Sequence, residues 1–198
     1  MKKIILFLIL SNLIAVAGIF YYNSKSNLPS PQKLRLSTLP VGGDFGIHNG
    51  NMNFDLKTYR GKLVLLYFGY TFCPDICPTT LSIFSKALQK LKPEELQQIQ
   101  TVFISVDPKR DTEEKLQKYV SFFHKSLIAL TDKPEKIADI AKQYGVSYQK
   151  HFVKEGEPFY TIDHSTQSFL IGKDGKIAKF IPHGILPEKL AEEIRSNF

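Results

Sequence analysis

The apolar segment from Leu63 to Phe68 constrains the fold more than any other part of the sequence. Every one of its residues is aliphatic or aromatic, and Gly69 follows them directly. A short, continuous apolar run is typical of a strand buried on both faces, and such strands occur in mostly parallel sheets covered by helices. The sequence therefore predicts an α/β protein with a central strand at residues 63–68.

Two cysteines, Cys73 and Cys77, follow this strand and are the only ones in the chain. Pro78 suits the first turn of a helix, because the N–H that proline lacks has no partner there. We therefore expect Cys77 near the helix N-cap and Cys73 on the preceding loop. The helix dipole and the unpaired N–H groups at such a corner lower the pKa of a thiol, which makes it a better nucleophile or metal ligand.

The rest of the chain alternates between strand and helix patterns. An Asn-Gly hairpin precedes the central strand. The segments predicted after it are a helix over 78–91, a strand over 100–106, a helix over 112–124, an apolar run at 127–130, a helix over 134–144, antiparallel strands at 168–172 and 176–181, and a helix over 187–198. This order predicts a mixed central β-sheet flanked by helices and, with cysteines at the first strand-to-helix corner, resembles the thioredoxin fold.

The N-terminal region, residues 1–22, predicts a transmembrane anchor. Residues 4–22 carry no charge and are long enough to cross a bilayer, and the two lysines before them favour a cytoplasmic N-terminus. The alternative is a signal segment cleaved after residue 17, which releases the domain to the periplasm. Residues 23–38 predict a linker and residues 39–198 one folded domain. The absence of a long Arg- and Ser-rich presequence favours a bacterial inner membrane, with the domain facing the periplasm.

Composition argues against two classes of protein. The net charge of +7 comes from lysines and arginines spread along the chain, without the clusters and aromatic interleaving that a nucleic-acid groove shows. Two cysteines four residues apart close too short a loop to act as the disulfide framework of a small secreted domain. We therefore expect no nucleic-acid partner and a chemical role for the thiols.

The spacing of the cysteines favours metal binding without excluding redox chemistry. A thioredoxin dithiol has two intervening residues, whereas Cys73 and Cys77 have three. In a helix, this separation places the Cβ atoms about 5 to 6 Å apart, against roughly 3.8 Å in a relaxed disulfide. His164 is the candidate third ligand, and the adjacent Asp163 could orient it. Two thiolates and an imidazole suit Cu(I) and accommodate Cu(II), and an open three-ligand site suits a carrier that must release its ion.

A thiol-disulfide oxidoreductase is the alternative. In that case Cys73 attacks, Cys77 resolves and His164 is dispensable. Such enzymes usually carry a proline beside the dithiol, and none occurs from Phe159 to Phe180. A peroxidase fits less well, because a peroxidase site uses a single attacking cysteine and has no role for Cys77 or His164. Whether the protein is an enzyme therefore stays open.

Other polar residues are expected to have structural roles. We expect Asp107, Arg110 and Asp111 to cap the next helix and to fix the shape of the loop, and not to take part in catalysis. The remaining four histidines are expected to be structural, three of them in loops and His124 at the end of a helix.

Three separated motifs resemble those of the Sco/SenC family. They are the segment from Tyr67 to Pro78, the segment from Ser105 to Thr112, and Asp163-His164-Ser165. The resemblance implies a membrane-tethered, thioredoxin-like copper chaperone that assembles the binuclear copper site of cytochrome c oxidase subunit II, with Cys73, Cys77 and His164 as copper ligands. Other copper chaperones or thiol reductants are further partners that it implies.

Family members are also credited with thiol-disulfide exchange on the oxidase cysteines. The chain departs from the family pattern at Phe72, where many relatives carry a polar residue such as histidine. Because that side chain is not a family ligand, we expect the change to affect the partner-facing surface rather than metal affinity.

Overall fold

The structure, a computed structural model, describes residues 42–152 and 159–198. Within these ranges, the strands in chain order are β1 (Gly46–Asn49), β2 (Met52–Asp55), β3 (Leu63–Gly69), β4 (Ile99–Ser105), β5 (Leu127–Leu130), β6 (Tyr148–Phe152), β7 (Tyr160–His164), β8 (Ser168–Ile171) and β9 (Ile177–Ile181). The helices are α1 (Ile76–Leu88), α2 (Pro93–Leu96), α3 (Glu113–Ser121), α4 (Pro134–Gln143) and α5 (Pro187–Arg195), and a 3₁₀ turn spans Leu56–Tyr59.

A five-stranded sheet with the order β5-β4-β3-β8-β9 forms the centre of the fold. Strand β3 runs parallel to β4 and antiparallel to β8, so Leu66 pairs with Val102 on one side and Phe169 on the other. Every residue of β3 is buried, as the apolar run predicts. The expected mixed sheet with flanking helices is confirmed.

The helices cover the sheet with apolar stripes. In α1, Leu81, Phe84 and Leu88 are buried at the spacing of one helix face, and α1 packs against α5. Helix α3 begins after Thr112, whose hydroxyl accepts a hydrogen bond from the backbone N–H of Lys115, as the predicted cap requires. The loop after β3 leads into α1 and the loop after β4 leads into α3.

The first helix differs from the prediction at its N-terminus. It begins at Ile76, two residues before the predicted start, with Asp75 in the N-cap position, so Cys77 is near the N-cap, as expected, but lies inside the first turn. Cys73 lies on the loop before the helix, and Pro78 in the first turn, as expected. Proline is tolerated throughout the first turn of a helix, so Pro78 is compatible with a helix that starts at Ile76. The prediction used the proline alone and placed it at the first helical position.

The sequence did not predict the hairpin formed by β6 and β7. Within the described residues, these two strands form a sheet of their own, in which Tyr148 pairs with His164. Four of the five residues in β6 are exposed, so the strand lacks the alternation that marks a half-buried strand. In β7, Tyr160 and Ile162 are buried, whereas Thr161 and Asp163 are exposed.

No helix in the described part of the chain is long and apolar enough to cross a membrane. The predicted anchor at residues 1–22 and the predicted linker at residues 23–38 lie outside the described residues. Both therefore stay predictions.

Candidate metal centre

The two cysteines lie beyond the carboxyl end of β3, where the chain turns into α1. The Cys77 side chain is buried and that of Cys73 is partly exposed. Gly69, the last residue of β3, gives Cys77 its space, because a Cβ atom at position 69 would lie 2.6 Å from the Cys77 sulfur. A glycine at the end of this strand therefore allows a thiol to pack directly against the backbone.

The loop that carries Cys73 is fixed by a buried carboxylate. Asp111 is fully buried, and it accepts hydrogen bonds from the Thr71 backbone N–H at 2.9 Å and from the Thr71 hydroxyl at 2.5 Å. The Ser105 hydroxyl also donates to this carboxylate. Because a buried carboxylate is costly unless it is well hydrogen-bonded, these contacts hold the backbone two residues before Cys73 in one place.

His164, at the end of β7, completes the cluster. Its Nε2 atom lies 3.4 Å from the Cys77 sulfur, and its Nδ1 atom lies 2.9 Å from the carbonyl oxygen of Ser165. A carbonyl oxygen only accepts hydrogen bonds, so this contact assigns the proton to Nδ1. The Nε2 lone pair is then directed towards the sulfur and is available to a metal ion.

The expected role of Asp163 is wrong. Its carboxylate lies 3.1 Å from His151 Nε2. Neighbouring residues of a strand point to opposite faces, so Asp163 cannot reach the His164 ring from the same strand. The Ser165 carbonyl orients the ring in its place.

The donor atoms of Cys73, Cys77 and His164 all lie within 4.8 Å of one another. Atoms bound to one ion at about 2.0 to 2.3 Å are about 3 to 4 Å apart, so a small contraction would place all three in one coordination sphere. Two sulfurs and one imidazole nitrogen form a soft donor set. Cys73 and His164 also line an open pocket of about 420 Å³, so a bound ion would be accessible from outside.

The two thiols share one proton in the metal-free arrangement. The hydrogen bond from Cys77, helped by the backbone N–H groups of Cys77 and Asp75, lowers the pKa of Cys73 to about 5. The hydrogen bond to Cys73 and burial raise the pKa of Cys77 well above its usual range. Cys73 is therefore the thiolate and Cys77 the thiol at neutral pH. A metal ion that binds both sulfurs must displace the remaining proton.

Two tyrosines border the site and were not predicted to do so. The buried Tyr67 hydroxyl donates to the Cys77 sulfur at 3.6 Å, and burial raises its pKa far enough to keep it protonated. The rings of Tyr67 and Tyr70 meet the His164 ring edge-on at centroid distances of 6.1 and 5.8 Å. Strand alternation could have identified Tyr67, because it shares a face of β3 with Gly69.

The other histidines lie away from this group. His48 is in β1 and His151 is in β6, so the prediction that both lie in loops is wrong. His183 is in a loop, as predicted, and its Nδ1 lies 3.0 Å from the Thr80 hydroxyl. In the part of the chain that the structure describes, Cys73, Cys77 and His164 are the group of metal-ligating side chains close enough to hold an ion.

The fold and the site together define a thioredoxin-like α/β protein with an open Cys₂His group suited to a soft metal ion. The sequence profile of the SCO1/SenC family matches residues 35–198. The chain belongs to this family.

Curated relatives and solved structures agree with this assignment. An SCO2-like protein of Rickettsia conorii is 33% identical over 199 residues, which cover 96% of this chain and 95% of that protein. The mitochondrial SCO1 homolog 1 of Arabidopsis thaliana is 40% identical over 141 residues, which cover 71% of this chain and 42% of that protein.

Two solved structures with copper bound share the fold. Bradyrhizobium japonicum ScoI matches with a TM-score of 0.72 at 33% identity, covering 80% of this chain and 99% of that chain. Yeast Sco1 matches with a TM-score of 0.70 at 30% identity, covering 79% of this chain and 87% of that chain.

Proposed function

We propose that this protein is a copper-binding metallochaperone that delivers copper to the binuclear copper site of cytochrome c oxidase subunit II during oxidase assembly. The observation that carries the proposal is the convergence of Cys73, Cys77 and His164, whose donor atoms all lie within 4.8 Å of one another, beside an open pocket that Cys73 and His164 line. Two structural relatives with copper bound, at 33% and 30% identity, support the choice of metal.

Each ligand has a distinct part in binding and release. The buried Cys77 sulfur holds the ion against the end of β3, and the partly exposed Cys73 thiolate is the ligand that a partner's thiol can replace. His164 provides a neutral nitrogen through Nε2. Three protein ligands leave a coordination position open, so copper passes to the recipient by stepwise ligand exchange. The donor set serves Cu(I) and also accommodates Cu(II).

A thiol-disulfide oxidoreductase acting on the cysteines of the same copper site is the second candidate. It is favoured by the lowered pKa of the Cys73 thiol, about 5, and by the Cys77 thiol behind it. The Cys73 thiolate would attack a recipient disulfide and release one recipient thiolate. Cys77 would then attack the mixed disulfide, which frees the second recipient thiol and leaves an oxidised Cys73–Cys77 pair.

His164→Ala separates the two functions. The full-length chain in detergent is assayed for Cu(I) and Cu(II) binding, for copper transfer to the purified copper domain of subunit II, and for reduction of the oxidised form of that domain. We expect one copper ion per wild-type chain. In the variant we expect much weaker Cu(II) binding, a Cu(I) ion held by the two thiolates alone, and loss of transfer. His183→Ala is the matched control, because His183 contacts Thr80 and not the ion. Full reduction of the recipient by a His164→Ala chain that transfers no copper would instead support the oxidoreductase.

We also propose a location for the chain, which the uncharged run at residues 4–22 supports. Residues 1–22 would anchor the chain in a bacterial inner membrane, with the copper domain facing the periplasm. Membrane and soluble fractions are compared by immunoblotting and N-terminal sequencing. Recovery of the chain wholly in the soluble fraction, starting at Gly18, would contradict the anchor.

A further inference from the structure

His164 is joined through three residues to β8, which pairs with β3, whereas the rest of β7 is held against the cysteine loop by side-chain contacts. Within the described residues, β6 and β7 pair only with each other, whereas the cysteine loop follows a strand of the central sheet. No backbone ladder therefore joins the strand that carries His164 to the strand that positions Cys73 and Cys77. The groups that connect them determine whether the three donor atoms stay together.

Arg110 is the main connection between β7 and the loop after β4. Its Nη1 donates to the backbone carbonyl oxygen of Tyr160 at 2.8 Å, and its guanidinium carbon lies 3.6 Å from the centre of the Tyr160 ring. Its Nε donates to the carboxylate of Asp107, which is fully buried. The Tyr160 hydroxyl donates to the same carboxylate at 2.7 Å. Asp107, Arg110 and Tyr160 thus form a closed set of hydrogen bonds at the start of β7.

The same guanidinium reaches the cysteine loop. Its carbon lies 5.0 Å from the ring centre of Phe72 and 5.7 Å from that of Tyr70. Phe72 directly precedes Cys73, and Tyr70 accepts a hydrogen bond from the Ile162 backbone N–H at 3.2 Å. Arg110 therefore contacts both parts of the site without reaching a donor atom.

The contacts of Arg110 and Tyr70 are made by the same strand that carries His164. Tyr160, Ile162 and His164 alternate along β7 and so lie on one face. The first is held by Arg110 and the second by Tyr70, and the third presents its imidazole to Cys77. Because these two hydrogen bonds hold the backbone of β7 at the Tyr160 carbonyl and the Ile162 N–H, a shift of the strand away from them would also move His164.

We propose that Arg110 is a positioning residue that holds β7 against the cysteine loop and so keeps His164 within reach of an ion bound to both sulfurs. This inference rests on the proposed copper binding. Loss of Arg110 leaves the two thiolates in place and frees the imidazole. Cu(I) accepts two thiolates alone, whereas Cu(II) needs further ligands, so the loss affects Cu(II) more strongly. Disturbance of a residue that orients a ligand typically weakens metal binding about 10- to 100-fold.

The test compares Cu(II) and Cu(I) binding by full-length Arg110→Met, Arg110→Lys and Arg60→Met chains. Arg60 pairs with Asp44 on another part of the fold, so its variant controls for loss of an ion pair. We expect Arg110→Met to lose about 10- to 100-fold in Cu(II) affinity and to change its thiolate-to-Cu(II) absorption, with a smaller effect on Cu(I). Lysine keeps the charge but not the forked, stacked geometry, so it should restore binding only partly.

The same substitution in a His164→Ala chain tests whether Arg110 affects copper binding through His164. If Arg110 acts through His164, then Arg110→Met causes no further loss of Cu(II) affinity once His164→Ala is present. Arg110→Met alone leaves a buried carboxylate without its main partner. If Arg110→Met alone unfolds the chain, the double variant Arg110→Met/Asp107→Asn is used instead. It removes both charges of the ion pair, so no unpaired carboxylate is left buried.

A readout without copper separates this inference from the proposed function. In the metal-free chain, we expect amide hydrogen exchange at Ile162 to accelerate in Arg110→Met while exchange in β3 stays unchanged. Wild-type exchange at Ile162, or wild-type Cu(II) affinity and absorption in Arg110→Met, would overturn the inference. If the wild-type chain binds no copper, the proposed function fails, and the exchange experiment still decides whether Arg110 holds β7.

Discussion

Replacing Gly69 by alanine should damage the metal centre through a single methyl group. The added Cβ would lie 2.6 Å from the Cys77 sulfur and 2.8 Å from a Phe103 ring carbon, whereas ordinary contact begins at 3.4 Å. Both neighbours are fully buried, so neither can swing into solvent. Both must therefore give way, the sulfur by about 0.8 Å and the ring carbon by about 0.6 Å, and overpacking of a core in this way typically costs about 1 to 3 kcal/mol. Because the Cys77 sulfur is the nearer atom, its displacement should also weaken copper binding.

The assay measures the free energy of unfolding by urea titration and the Cu(I) affinity by competition with a chromophoric chelator. Gly172→Ala is the matched control, because its Cβ would come closer than ordinary contact only to the Asp174 carboxylate, at 3.1 Å, with the next atoms at 3.6 and 3.7 Å. We expect the control to retain its affinity and most of its stability. A Gly69→Ala chain with both wild-type stability and wild-type copper affinity would refute the argument that this glycine makes room for the sulfur.

Three further predictions follow from the same geometry. In the reduced, metal-free chain, alkylation by iodoacetamide should occur at Cys73 with a midpoint near pH 5. Because this folded pKa of about 5 lies below the ordinary value of 9.0, the folded state binds fewer protons than the unfolded state between the two. Stability relative to Cys73→Ser should therefore rise as the pH rises from 5 to 9 and be lost as it falls; a flat difference would contradict the assignment. Tyr67→Phe removes a buried donor to the Cys77 sulfur, so it should cost about 0.5 to 1.5 kcal/mol in urea titration and shift the thiolate-to-Cu(II) absorption; an unchanged spectrum would show that the hydroxyl does not reach the bound sulfur. Asp111→Asn replaces one acceptor of the bonds from Thr71 with a donor, so it should cost about 1.5 to 3 kcal/mol and accelerate amide exchange at Thr71; protection equal to wild type would argue against this anchor.

The sequence predicts the parts of this fold that local patterns determine. An apolar run of six residues is enough to identify β3, and apolar periodicity is enough to locate α1 and α3. The predicted turn from β3 into a helix located both cysteines correctly, although α1 begins one residue before Cys77. These features depend on neighbours in sequence, which is why periodicity and capping detect them.

The site as a whole depends on contacts that the sequence does not encode locally. Cys77 and His164 are 87 residues apart, so the sequence made His164 a candidate ligand, and the motif resemblance was needed to favour it over a structural histidine. The β6–β7 hairpin was missed because β6 is mostly exposed and has no apolar alternation. Asp163 was misassigned because the prediction did not place it on a strand, where its side chain points away from His164. The sequence could assign Arg110 a role in the shape of its loop, but it could not show that Arg110 contacts Tyr160 and Phe72.

X-ray absorption spectroscopy of the copper-loaded, full-length chain tests the central claim most directly. The account predicts one copper ion per chain, bound by two sulfurs and one imidazole nitrogen. Cys73→Ser and Cys77→Ser should each remove one sulfur from the coordination shell, and His164→Ala should remove the nitrogen. A copper ion whose coordination shell is unchanged by His164→Ala, or one bound without both sulfurs, would contradict the account.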